Sequence, residues 1–231
     1  MCGRFTLAGS RPQELRDRFG IDPAIPLVAR WNIAPGQQVL ALTGGRGGRP
    51  HGELVRWGLL PGWSKRPAGG APMINARAET VAERQAFRDA FERRRCLIPA
   101  DGFYEWQRRP AGPAQPWWFA RDDGEPFAFA GLWEEWLPDP GAAPVRTCAI
   151  ITTGAAPVVA AIHDRMPAIL KAESEAAWLA DGAGPEALLP LLHPLEEGLV
   201  ARPVSTAVNA VTNDGPELLE HATEQPPNTL F

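Results

Sequence analysis

Residues 95–106 read Arg95-Cys96-Leu97-Ile98-Pro99-Ala100-Asp101-Gly102-Phe103-Tyr104-Glu105-Trp106. Two short apolar runs of strand length flank Pro-Ala-Asp-Gly, a sequence that favours a turn over continued pairing. Similar runs at 116–121, 126–133 and 145–153 follow with hairpin-like spacing, which predicts a β-rich middle. Cys96 falls in the first strand, where a thiol behaves as a small core hydrophobe. Glu105 stands between Tyr104 and Trp106. Aromatic walls that strip water from a carboxylate raise its pKa toward the range useful for proton transfer, whereas strand alternation equally allows it to face solvent.

Upstream, Thr80 and Glu83 form a capping-box signature, and Val81, Phe87, Ala90 and Phe91 recur at helical spacing. Asn75-Ala76-Arg77-Ala78-Glu79-Thr80 therefore leads into a predicted helix, with Asn75 and Arg77 just before an N-terminus that favours anions. A local turn role for Asn75 is the alternative. Further back lie a strand at 54–60, Pro61-Gly62-Trp63, a polar loop at 65–72 and a strand at 39–43. Gly44, Gly45, Gly47 and Gly48 around Arg46 read as a hairpin tip, and the lack of a following Gly-Lys-Ser/Thr excludes a nucleotide P-loop. Near the start, 5–7 reads as a strand. Ser10 and Gln13 then cap a helix with Leu15 and Phe19 on one face and Gly20 at its end.

Downstream, Ile162-His163-Asp164-Arg165-Met166-Pro167 concentrates polar groups. A lone histidine is more often structural than catalytic, but Arg165 could hold an anion beside His163. Residues 173–179 and 185–192 predict short helices, 200–211 a strand containing Ser205 and Asn209, and 221–231 a loose tail. The whole reads as one α+β domain over 1–220, dominated by antiparallel sheets with a few flanking helices.

The second residue is a cysteine. Initiator methionine is normally trimmed before a small side chain, which would leave Cys2 with a free amine and a free thiol. These titrate near ~7.7 and ~8.5, so each keeps a usable nucleophilic fraction at neutral pH. The two nucleophiles on adjacent carbons suit an aldehyde, which gives an imine with the amine and closes to a thiazolidine with the thiol. Three cysteines and four dispersed histidines point to neither a disulfide framework nor a metal site. No targeting or membrane-spanning segment is evident, so a cytoplasmic protein is expected. A net charge of −4 argues against a binder that holds duplex DNA by overall positive charge, and leaves room for a local basic surface. The arginines 84, 88 and 93–95 could equally be a solvated helix face. Nine tryptophans serve either as core or as platforms for stacked bases.

Met-Cys-Gly-Arg, WNIAPGQ, WGLLPGW, NARAET, CLIPADGFYEW, IHDRMP and VSTAVN occur in the order found in the SOS-response-associated peptidase (SRAP) family of abasic-site processing proteins, which the chain resembles from Cys2 to about Leu219. The resemblance implies a compact fold of antiparallel sheets and a sensor of abasic sites in single-stranded DNA. The family crosslinks these lesions covalently through the N-terminal cysteine. By motif, Asn75 resembles the residue that positions the amine or the opened sugar, Glu105 the proton shuttle, and His163 the acid that opens the deoxyribose ring. Arg4, Arg77 and Arg165 would grip phosphates. Thr152, Asn32 and Trp63 would make a phosphate, a backbone and a stacking contact respectively. The resemblance calls for no cofactor or metal, and the protein is expected to act as a monomer. An imine also permits β-elimination, hence lyase behaviour. An N-terminal-cysteine peptidase or autoprotease, and a non-catalytic reader of single-stranded or modified DNA, are the alternatives. The last residues, 225–231, end in Leu230 and Phe231 and resemble bacterial sliding-clamp ligands.

Overall fold

The computed structural model describes residues 2–8, 12–45, 50–64, 73–138 and 141–220. The expectations for Met1, the Ser10 cap, the tip around Arg46, the 65–72 loop and the tail with Leu230 and Phe231 lie outside them.

Thirteen strands are formed among the described residues: β1 (Phe5–Leu7), β2 (Arg30–Ile33), β3 (Gln38–Thr43), β4 (His51–Trp57), β5 (Asn75–Arg77), β6 (Arg95–Ala100), β7 (Gly102–Gln107), β8 (Gln115–Arg121), β9 (Phe127–Trp136), β10 (Val145–Gly154), β11 (Arg165–Pro167), β12 (Ile169–Leu170) and β13 (Leu199–Pro203). Short helices intervene: α1 (Pro12–Phe19), α2 (Arg88–Arg93), α3 (Pro157–Ala160), α4 (Glu175–Leu179) and α5 (Pro185–Leu188). The fold is α+β, as expected.

One sheet runs β13-β8-β7-β1-β2. In the other, β10 pairs with β4, β4 with β3, β3 with β6, β6 with β9 and β9 again with β10, so five strands close on themselves and leave no open edge. Most pairings are antiparallel; β10 also accepts β4 and then β5 in parallel. The two layers meet through aromatic rings. Phe5 of β1 packs edge-on against Trp57 and Phe129, with centroids 5.3 and 5.6 Å apart, and Phe103 of β7 reaches Phe129 at 6.4 Å.

The turn at Asp101 does more than join neighbours, because β6 and β7 belong to different sheets. Asp101 Oδ1 accepts from Thr6 Oγ1, its Oδ2 from the Ala8 amide, and Gly102 opens β7 opposite Thr6. Buried Arg95 donates to the carbonyls of Phe91, Glu92, Trp178 and Ala180 and so ties the C-terminal ends of α2 and α4 to the barrel.

Three expectations need correction. The predicted helix after Glu79 starts only at Arg88; residues 80–87 form successive turns because Val81 and Phe87 are drawn separately into the core, and tertiary burial outweighs the capping signature. Asn75 and Arg77 therefore lie on a strand and not at a helix N-terminus. The strand expected at 54–60 is His51–Trp57, ended by Gly58 at φ 132°, whose amide turns to the Cys148 carbonyl. The strand expected at 200–211 stops at Pro203. There Ser205 Oγ accepts from the Ala207 amide and starts a 3-10 turn, Thr206–Asn209.

A Cβ at Gly102 would fall 2.3 Å from Trp118 Nε1, whereas one at Gly154 would meet nothing within 4 Å. Gly102→Ala is expected to lower the unfolding free energy by about 1–3 kcal/mol in urea titration, with Gly154→Ala close to wild type.

Candidate functional site

β1 lies between β7 and β2, so the residues ahead of it are threaded along β7. Phe5 faces Phe103, Thr6 faces Gly102, and the Tyr104 amide donates to the Arg4 carbonyl. Continuing that register sets Gly3 beside Glu105 and Cys2 beside Trp106. Cys2 is completely buried. Its carbonyl accepts from Asn75 Nδ2 at 2.8 Å, and its Sγ lies 3.8 Å from the Arg4 carbonyl. The Oδ1 of the same Asn75 is buried without a hydrogen-bond partner among the described residues, and is free to accept from a ligand or an amine.

Asn75 reaches this place because β5 pairs in parallel with the far end of β10, beyond its contact with β4. The opposite edge of β10 carries β11 beyond β9, with Gly154 opposite Arg165. The site thus lies where the two sheets meet. β1 and β7 supply Cys2 and Glu105; β5, β10 and the α3–β11 connection supply Asn75, Thr152, His163 and Arg165.

Glu105 is buried, which pushes its carboxyl up to about 7, and the nearby Asp164 acts in the same direction. Strand alternation left its side open; it faces inward. Burial also drives the Cys2 thiol up, reinforced by Glu105, so Cys2 rests as a thiol. His163 Nε2 lies 4.0 Å from Glu105 Oε2. Its Nδ1 lies 3.0 Å from the Arg165 amide nitrogen, a donor, and 3.3 Å from the Arg165 carbonyl oxygen, an acceptor, so both tautomers find a partner there. Burial lowers the histidine pKa, and Asp164, with Oδ1 3.1 Å from Nδ1, partly offsets this.

The expected anion-binding residues divide into three groups. Arg4 Nη1 donates to Asn32 Oδ1 and the Val208 carbonyl, and the guanidinium lies 5.9 Å from the Trp106 ring. These partners are neutral, so they orient the charge without cancelling it. Arg165 is instead held by Glu79, with Thr152 beneath it. Arg77 and Trp63 are exposed, the latter by 62%.

Asn32 is fully enclosed. Its Nδ2 donates to the carbonyls of Val208, Ala210 and Asn213, so it clamps the C-terminal segment and aims Arg4 instead of presenting itself to a ligand. Thr152 is buried, its hydroxyl set between the Ala76 carbonyl, to which it donates, and Arg165, from which it accepts. Pattern reading did not single out Glu79, Asp164 or Asn209 for roles here. The first two sit inside motifs already marked, next to residues that drew the attention. Asn209 accepts from Trp106 Nε1 across 103 residues of sequence, which no local pattern signals.

Among the described residues no group of three or more His, Cys, Asp or Glu is placed to share a metal ion, and no helix is long and apolar enough to cross a membrane.

The sequence model of the SOS response associated peptidase (SRAP) family matches residues 1–211. The chain belongs to this family. It is 41% identical over 225 residues to the abasic site processing protein YoqW of Bacillus subtilis, covering 95% of this chain and 99% of that one. It is 32% identical over 234 residues to the abasic site processing protein YedK of Escherichia coli, covering 95% and 99%. A crystal structure of a Bacteroides thetaiotaomicron protein superposes with a TM-score of 0.85 at 23% identity, over 96% of this chain and all of that one, and shares the fold. Residues dispersed along the chain, from Cys2 and Arg4 to Asn75 and Val208, are brought together where the two sheets meet.

The raised pKa of Glu105 has a sign that can be measured. A carboxyl whose folded pKa exceeds its unfolded value favours the folded state when protonated; that contribution is complete below about 4.5 and is lost as pH rises through about 7. Glu105→Gln, neutral at all pH, is expected to gain melting temperature relative to wild type progressively from pH 5 to 8. A pH-independent difference between the two melting curves would contradict the assignment.

Proposed function

We propose that this SRAP protein captures abasic sites in single-stranded DNA by a covalent bond to Cys2, once Met1 is removed. The observation that carries the reading is the meeting of Cys2, held by Asn75, with a buried carboxyl that titrates near neutrality. The names of its relatives, abasic site processing proteins, support the same substrate.

The chemistry follows from the groups present. The ring-opened abasic sugar carries an aldehyde at C1′. The Cys2 amine adds to it, and the carbinolamine loses water when an acid protonates the departing hydroxyl; Glu105, protonated below about 7, is suited to that step. Asn75 Oδ1 is positioned to orient the amine. His163, with Nε2 on the side of Glu105, is the donor for opening the deoxyribose ring. The thiol then adds across the C=N bond, its sulfur bonding to carbon while its proton goes to nitrogen by way of Glu105. The product is a thiazolidine, and the overall by-product is one water. If the imine persists instead, loss of a proton from C2′ expels the 3′ phosphate, which is the lyase route. Arg4, Arg77 and Arg165 are the cations for the flanking phosphates, and Trp63 is an exposed face for a base.

Intact mass after mixing with an oligonucleotide bearing one abasic site should show a denaturation-stable adduct that Cys2→Ala lacks. An adduct that survives Cys2→Ala would refute the assignment. Asn75→Ala should slow adduct formation by about 10- to 100-fold, the scale of a lost positioning contact. The rate in wild type should fall as pH rises above about 7, and Glu105→Gln should be slower and lack that alkaline limb.

A further inference from the structure

Arg165 is an arginine whose charge the protein itself neutralises. Nη1 donates to Glu79 Oε1 at 2.5 Å and Nη2 to Glu79 Oε2 at 3.0 Å, a two-pronged pairing. Nη2 also reaches the Thr152 carbonyl at 2.7 Å and its hydroxyl at 3.3 Å. The two partners differ in access to water. The Arg165 side chain is 14% exposed and pinned from below by Thr152, whereas that of Glu79 is 54% exposed. The carboxylate has water on its outer side, whereas the guanidinium is held by Thr152 whether or not Glu79 is present.

Glu79 also lies in the electrostatic field of Arg77, two residues earlier on the same segment. Its carboxylate therefore sits with two arginines around it. A phosphodiester offers two non-ester oxygens that a guanidinium grips in the same two-pronged way. The Arg165 amide is bonded to His163 Nδ1, so an anion in this place is also anchored two residues from the proposed ring-opening acid.

We infer that Glu79 occupies the place of a DNA phosphate and is a specificity-determining residue, displaced from Arg165 when a phosphodiester arrives in register with Cys2. This rests on the single-stranded DNA reading above. A strand that places a phosphate here exchanges one anion for another at Arg165. An aldehyde without that phosphate leaves the Glu79 pair closed and draws nothing from Arg165. Because the pair is half in water, its displacement costs little, and the filter is worth a few-fold rather than orders of magnitude.

The test uses the full chain with Cys2→Ala, so that only reversible binding is read, and an unmodified single-stranded oligonucleotide followed by fluorescence anisotropy. Glu79→Gln in this background should tighten Kd by about 2- to 5-fold, the scale of a half-exposed ion pair. Glu79→Ala should do the same if the gain comes from vacating the site. Adding Arg165→Gln should abolish the gain, and Glu83→Gln, which removes an exposed acid on the same segment, should not reproduce it. Weaker or unchanged binding in Glu79→Gln would make Glu79 a mere support for Arg165 and overturn the inference. A gain that persists without Arg165, or that Glu83→Gln matches, would reduce it to bulk charge and overturn it equally. Adduct formation by the Cys2-containing protein is scored separately. Its absence refutes covalent capture, whereas an adduct with no Kd gain refutes only the role of Glu79.

Discussion

A strand of three residues at the beginning of the chain is paired on both edges, and the site depends on that constraint. β1 lies inside its sheet, between β7 and β2, and Phe5 locks it against Trp57 and Phe129 of the barrel. A chain terminus is ordinarily among the least ordered parts of a domain. Here the residues ahead of β1 inherit the register of a central strand, so Cys2 is delivered to Glu105 and Asn75 with no loop freedom left to average over. Pre-positioning of this kind lowers the entropy cost of bringing reacting groups together, which the proposed capture would draw on.

The electrostatics follow from the same geometry. Burial raises the Glu105 pKa to about 7, so the carboxyl is only partly ionised at neutral pH, and it keeps the Cys2 sulfur protonated; the resting site carries less negative charge than its composition suggests. Around it the arginines are held differently. Arg4 is fixed by carbonyl oxygens and an aromatic ring and keeps its charge outward in effect; Arg165 is fixed by a carboxylate. A chain with net charge −4 can in this way concentrate positive potential at one place without becoming basic overall.

The strands were largely legible from alternation and turn chemistry, because β6 to β10 carry long apolar runs with clear breaks. The closure of the barrel was not, since it depends on β10 reaching back to pair in parallel with β4, Thr147 opposite Arg56, and local pattern carries no record of that. The helix expected after Glu79 failed for a related reason: Val81 and Phe87 are spaced as on one helical face but are buried in separate turns. At the site, Cys2, Asn75, Glu105 and His163 were singled out by residue chemistry and motif resemblance, and the fold brings them to one region, while the enclosure of Asn32 and Thr152 was hidden. A polar residue that clamps a distant segment and one that faces a ligand look the same in a sequence. What separates them is the far partner, such as Val208 for Arg4 and Asn32.

That far partner sets an order of events. Arg4 and Val208 are 204 residues apart, and a ribosome adding about 5–20 residues per second needs on the order of ten seconds or more to make the second after the first. β2 and β7 emerge in between, yet the clamp on Arg4 and Asn32 waits for the segment that ends near Asn213. Until then the start of the chain is held by fewer partners. Once the clamp closes, the carbonyls of Val208, Ala210 and Asn213 tie Arg4 and β2 to the far end of the domain. The last part of the domain to be made thus fastens the first.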